Sequence, residues 1–486
     1  MQLVQTILYV ALITGIVTFA FGFRVPFRGI LSVPPGGRMM AFTWLVLYFG
    51  MGLWFGRLGK PTTLAEVDQS AVVQILSIAF AFLVAMFGFM KGYGLSNLKG
   101  PLLLLFVYAL LGVLTAPLSP VPTLSAFKAG SLVVVALVAA VAVDVMGKVD
   151  AKRVLLNSAY LYLGLLTFLA VLGGILFPEI THRPNKGIFG MMLVGWPALN
   201  SNSLSFISAT ISIVGLRRFF EPSPLTCRVF YLGVLVVAFS VLLLAQGRTS
   251  IIGFFLAVLL LSSIVPGIRL VRRWLVIWIA VVFSIYLLTG EIGDWLKVLE
   301  TYLRRGSDDE SLKTLSGRTE VWSAGWQIFL QSPVFGYGFY AAEKLGIAAH
   351  NAYILVLINN GLVGFVFWVS YMYWGMLGAL RDLISAKWRC DTEEQRFRAE
   401  TYGVLIVLFL RTITGSDLTT HHYSTMIFVA WLVYRAIDRK REDSPRDEEK
   451  ADEKLPESVE NGLHILSHRR KYNIKKRVNN MRGKKA

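Results

Sequence analysis

Apolar residues run in long blocks through most of this chain, separated by short polar connections, until about Arg435, where the character changes abruptly. A helix needs roughly 20 apolar residues to cross about 30 Å of hydrocarbon. Runs of that kind centre near Ala11, Leu47, Ala79, Tyr108, Val135, Gly164, Ser208, Val236, Leu256, Ala280, Gly364, Val407 and Ala430. The pattern predicts an all-α integral membrane protein with about 12–13 transmembrane helices. The first run, from about Leu3 to Phe23, lacks a basic leader and a small-residue cleavage site, so it reads as a span and not as a removed signal peptide.

The polar connections are of two kinds. Arg24, Arg28 and Arg38; Lys91 and Lys99; Lys148, Lys152 and Arg153; Arg217 and Arg218; Arg269, Arg272 and Arg273; and the stretch from Arg381 to Arg398 alternate with connections poor in base. Basic loops mark the cytoplasmic side, which puts Pro117–Thr123 and Thr414–Tyr423 outside. One outer connection is far longer than the rest, from about residue 291 to 349. Within it Ser316–Gln331 reads as an amphipathic helix closed by Ser332-Pro333, with Trp322, Trp326 and Phe329 on one stripe. That stripe predicts a lid packed on the membrane domain by its tryptophans. Long outer loops usually carry function.

Composition agrees with the hydropathy pattern. The chain has 486 residues, 55% hydrophobic and 16% charged, with mean hydropathy +0.59, well below the quarter charged of a soluble domain. Residues 1–437 form the expected membrane catalytic domain, and 438–486 a basic, largely disordered cytoplasmic tail. The net charge of +18 raises the possibility of nucleic acid, through runs such as Lys475-Lys476-Arg477. Basic clusters beside membrane spans are better explained by anionic lipid headgroups, so the tail's expected partner is the membrane surface and not nucleic acid. Cys227 and Cys390 both fall on the expected cytoplasmic side, with no disulfide or metal framework in view.

Three outer positions could carry chemistry. Arg248 sits in Gln246-Gly247-Arg248-Thr249-Ser250, Arg318 in Ser316-Gly317-Arg318, and His350 in His350-Asn351-Ala352-Tyr353, all at or near helix starts, where amide N–H groups and the helix dipole favour anions. Two guanidiniums there would grip phosphate oxygens. Taken singly, each arginine is better read as reaching to headgroups, and the histidine could cap a helix or contact headgroups.

The context narrows the choice. Ser316-Gly317-Arg318, Trp322, Ser332-Pro333, Gly336-Tyr337-Gly338 and the run His350–Gly364 resemble the signature of the O-antigen ligase and polysaccharide polymerase superfamily. Gln246–Ser250 is similar to that family's Arg-bearing span start. Asn185–Gly190, with Pro197 and Asn200–Asn202 beyond, echoes a family stretch but contains extra residues. The resemblance implies a GT-C-type membrane glycosyltransferase, metal-independent, inverting and without cofactor, in the bacterial cytoplasmic membrane. It would move a glycan from undecaprenyl diphosphate to a glycan or lipid A core hydroxyl on the outer side. His350, Arg318 and Arg248 would take the catalytic roles, with Asn351, Arg183, Asn200, Asn202 and Trp322 as substrate-binding candidates. His350 would be the general base; His421-His422 near Asp417 is the competing base. Asp308-Asp309-Glu310 cannot converge on one ion as three consecutive loop residues, so the arginines replace a metal at the departing diphosphate. A ligase is preferred over a polymerase because one dominant outer loop carries the signature. A secondary transporter fits the intramembrane asparagines Asn200, Asn202 and Asn359, but internal repeats and coupling carboxylates are not evident. A scaffold working through the basic tail is the remaining alternative.

Overall fold

A computed structural model describes residues 35–52, 69–146, 153–184, 191–194, 199–265, 268–269, 273, 318–347, 350–384 and 392–442. The expected spans at Ala11 and Ala280, the loop before Arg318, Asn185–Gly190, Pro197, Asp308–Glu310, Cys390 and the tail from residue 443 lie outside the described residues. The chain divides into two compact units, Met1–Tyr434 and Arg435–Ala486, and the bundle and site belong to the first.

The described residues are almost entirely helical: α1 Pro35–Gly52, α2 Gln69–Met90, α3 Pro101–Thr115, α4 Pro122–Val145, α5 Val154–Leu176, the short α6 Pro178–Thr181, α7 Ser201–Phe219, α8 Leu225–Ala245, α9 Arg248–Ile264, α10 Arg318–Gln331, α11 Ala352–Ile384, α12 Glu393–Thr414 and α13 Tyr423–Glu442. A two-stranded antiparallel ribbon pairs β1 His182–Pro184 with β2 Met191–Leu193. Each of the eleven expected span centres within the described residues falls in a helix. Six of these helices are long and apolar enough to cross a membrane. The protein is an all-α integral membrane protein.

The central helix α7 packs on α5, α8, α9 and α12. Its sequence explains this position. Ser203, Ser205, Ser208, Thr210 and Ser212 are all buried, and small residues allow the close helix approach on which membrane bundles depend. At Gly215 a Cβ would sit only 3.0 Å from the backbone nitrogen of Leu235 in α8.

At one end of α7 a charge cluster joins elements distant in sequence. Glu400 of α12 is fully buried and accepts from Arg218 at 2.8 and 2.9 Å and from Arg217 at 3.3 Å. Nearby, Arg153 pairs with Glu393 and Glu394. Arginines that read in sequence as orientation markers thus also serve as structural clamps. Removing one partner of a buried pair leaves an uncompensated charge, at about 3–5 kcal/mol. Glu400→Ala is therefore expected to lower the thermal unfolding midpoint of detergent-purified protein markedly; an unchanged midpoint would show that this cluster does not hold the end together.

The expected lid helix is present as α10, but its contact face differs from the tryptophan stripe. Gly325 and Phe329 are buried against α11, where a Cβ on Gly325 would meet Ile354 and Ile358. Trp322 is partly buried and Trp326 is 44% exposed. Glycine lets α10 approach α11 closely, which rotates Trp326 to the rim of the contact, beside Phe329.

The chain after α10 then threads into a break in α11. Gly361 adopts φ 60°, ψ −163°, a region essentially restricted to glycine. The break frees backbone groups that pair with the incoming segment: Leu362 N–H donates to Pro333 O at 2.8 Å, Val363 N–H to Val334 O at 3.2 Å, and Tyr337 N–H to Ile358 O at 2.9 Å. Asn359 Oδ1 accepts from Ala342 N–H at 2.8 Å. Beyond Gly361, the part of α11 reaching Asp382 is 1.5 Å per residue in rise and alone suffices to cross hydrocarbon. Ala352–Asn360 is surplus to that requirement and is available to form the site.

Candidate functional site

The site lies at the end of the bundle where α8 passes into α9 and α12 into α13. Gln246 ends α8 in a left-handed conformation, and Gly247 lies so close to α7 that a Cβ would overlap the Ser205 side chain. Ser205 Oγ donates to Ser250 Oγ at 3.2 Å, and Thr414 Oγ1 to Thr249 Oγ1 at 2.9 Å. These contacts fix Arg248 as the first residue of α9. Further along α9, Gly253 lies against Val407 of α12. One helical turn beyond Val407 is Arg411, so the same close approach brings a further guanidinium to this end.

Arg411 is 7% exposed and its surroundings are specific. Its Nε donates to Asp417 Oδ2 at 3.0 Å, and a terminal nitrogen donates to Asn202 O at 2.6 Å. Its plane lies 5.7 Å from the Phe206 ring, a favourable cation–π arrangement. Sequence reasoning missed this residue. The signal was present, because an ionisable residue inside an apolar run, here Val404–Thr414, is a functional candidate by default.

The separate elements meet electrostatically. Desolvation pulls the Arg318 guanidinium below its usual range, and the positive charges of Arg411 and Arg248 pull it further. His350 is likewise lowered, first by desolvation and then by Arg318 and Arg411, with Glu343 opposing. Arg318 is thus within electrostatic reach of Arg248 and Arg411, and His350 of Arg318 and Arg411.

His350 lines a cavity of about 470 Å³, with Arg411, Asp417, His422, Asn200 and Asn202 on its walls, within the size range of ligand pockets. It is exposed and has φ 43°, uncommon for a non-glycine residue and typical of constrained functional positions. Asn351 Oδ1 accepts from the N–H groups of Tyr353 at 2.9 Å and Ile354 at 3.1 Å, capping α11. Asn200 Oδ1 accepts from Ser203 N–H at 2.6 Å and caps α7. Both asparagines thus have a structural use for their oxygens. Arg183 lies in β1, in register with Met192. Trp322 is on α10, one turn from Arg318.

The competing bases are also here. His422 lines the same cavity as His350, with Nδ1 3.1 Å from Ser424 Oγ. Burial pushes His422 down to about 4 despite the opposing charge of Asp417, and His421 to about 3. Among the described residues no group of three or more His, Cys, Asp or Glu side chains is placed to hold a metal ion.

These features define a multi-pass membrane protein with a cation-rich, imidazole-bearing cleft at one end of its bundle. Residues 233–369 match the O-antigen ligase family, a stretch containing Arg248, Arg318 and His350. The chain is also similar to the exopolysaccharide production protein ExoQ of Rhizobium meliloti, 25% identical over 147 residues, covering 26% of this chain and about a third (32%) of that relative's length. The matched stretch and this similarity support an O-antigen ligase/polymerase-type superfamily, the one its motifs implied.

Proposed function

We propose that the protein is a glycosyltransferase that moves a glycan from undecaprenyl diphosphate to an acceptor sugar hydroxyl on the outer face of the bacterial cytoplasmic membrane. The observation carrying this reading is the O-antigen ligase family match over the stretch that bears Arg248, Arg318 and His350, together with a cavity that His350 and Arg411 line. The acceptor oxygen attacks the anomeric carbon while His350 takes its proton. The bond from that carbon to the diphosphate oxygen breaks, and the electron pair leaves with the lipid diphosphate. Arg248, Arg318 and Arg411 stabilise the growing negative charge, which fixed cations do most effectively where water is scarce. Desolvation first, and then Arg318 and Arg411, keep His350 neutral and able to accept a proton.

The acceptor in this reading is a lipid A core, as for an O-antigen ligase, and the cations make a metal ion unnecessary. A polymerase, whose acceptor is another repeat unit, is the second reading; the similarity to an exopolysaccharide production protein favours it. Purified protein given lipid-diphosphate-linked glycan from the source cells should transfer it equally well with and without chelator. Loss of transfer on chelation would overturn the metal-free mechanism. In a deletion strain, unattached polymer would identify a ligase and single-repeat chains a polymerase.

A further inference from the structure

A second cavity, of about 310 Å³, adjoins the first. Asn200, Ser203, Glu343, Ser416 and His422 line both, so the two compartments share a wall. The outer part of the second is built by helices α1, α2, α4 and α5, none of which supplies a member of the arginine cluster.

Its lining is polar for a space inside a membrane bundle. Gln74 on α2 and Lys128 and Ser131 on α4 face it from helices that are otherwise apolar spans, and polar groups in such positions are costly unless they serve a purpose. His421 also lines it, and its buried Nε2 has no hydrogen-bond partner among the described residues. Buried polar atoms are normally satisfied, so an unfilled one marks a place for a ligand group or water. Tyr340 completes the wall at φ 64°, with its ring 6.0 Å from Lys128 Nζ.

This lining suits one chemistry best. Hydrocarbon would leave the buried His421 Nε2 unsatisfied and would lie against the Gln74 amide and the Lys128 ammonium. A second phosphate would face Glu343 as well as Lys128. A sugar ring presents hydroxyls that both donate and accept, together with apolar faces that rest on aromatic rings, and the cavity offers partners for each.

Resting on the glycosyltransferase reading above, we infer that this second cavity is the acceptor compartment, holding the sugar whose hydroxyl attacks. The nucleophile must approach the anomeric carbon from the side opposite the leaving diphosphate. In this reading Arg248 and Arg318 hold the diphosphate, and the second cavity adjoins the compartment of His350 across the shared wall of Asn200, Glu343 and His422. A hydroxyl crossing that wall enters the compartment that His350 lines.

The test uses full-length protein in lipid nanodiscs, with lipid-diphosphate-linked glycan from the source cells as donor and lipid A core oligosaccharide from the same cells as acceptor. Ser131→Leu fills the cavity, and Gln74→Leu removes its amide without adding bulk. Each is expected to raise the acceptor KM about tenfold, equivalent to the loss of about 1.4 kcal/mol of binding, with the donor KM unchanged. Because Ser131→Leu could disturb folding, Gln74→Leu and the thermal midpoint of each variant are read alongside. A raised donor KM would assign the cavity to the donor glycan, and unchanged constants in the properly folded variants would remove it from sugar binding; either overturns the inference. Retained transfer by Arg318→Ala, in contrast, would fault the underlying glycosyltransferase site and not the compartment.

Discussion

His350→Ala is expected to reduce glycan transfer by about 10²–10⁴-fold, the range typical of a positioned general base, with the protein still present in membranes at wild-type abundance. His350 is exposed and its imidazole is absent from the hydrophobic packing of α10 against α11, which is carried by Phe329, Ala342, Leu355, Leu357 and Ile358. Stability should therefore change little, which separates chemistry from folding. The measurement is transfer from lipid-diphosphate-linked glycan in isolated membranes, normalised to protein amount. Near-normal activity would pass the role of base to His422, which lines the same cavity. His422 starts at a disadvantage. Its lowered pKa, about 4, leaves it neutral but a weak proton acceptor at pH 7.

Gly361→Ala should be as damaging by a different route. Its φ of 60° with ψ −163° is a region that a side chain resists, and a Cβ would run into the carbonyl of Val334. Strain and overpacking together should cost about 3 kcal/mol or more. The backbone bonds from Leu362 and Val363 to Pro333 and Val334 are the ones at risk. They tie the end of α10 to α11, and α10 carries Arg318 at its other end. The expected result is a lower thermal midpoint and a loss of transfer together. A variant with wild-type midpoint and activity would show that the break in α11 is incidental to the site.

The hydropathy pattern alone located the helices well, because membrane spans declare themselves through length and apolar content. It could not show which arginines were clamped. Arg218 and Glu400 lie 182 residues apart, and nothing local to either reveals the pairing. Arg411 was hidden for a related reason: attention to polar outer loops passes over a guanidinium set inside an apolar run, although its position there was the clue. The motif glycines were visible as residues but not as geometry. Gly336 and Gly361 face each other's segments where α11 breaks, and only the fold shows that the segment following the lid inserts there. The tryptophan stripe misled because hydrophobic spacing weighs large residues, whereas α10 docks through Gly325.

The central claim is that guanidiniums and imidazole act as one electrostatic unit. Its most direct test is the acid limb of kcat/KM for the donor, which reports the free enzyme's essential base. His350 must be neutral to work, and its pKa lies below the ordinary 6.5, so wild-type activity should persist through pH 6.5 and fall only at lower pH. Arg318→Gln removes one of the charges depressing that pKa. The residual activity of this variant should then show its acid limb displaced to higher pH. Superimposable limbs in wild type and Arg318→Gln would mean that Arg318 and the essential base do not sense one another, and the proposed site would come apart.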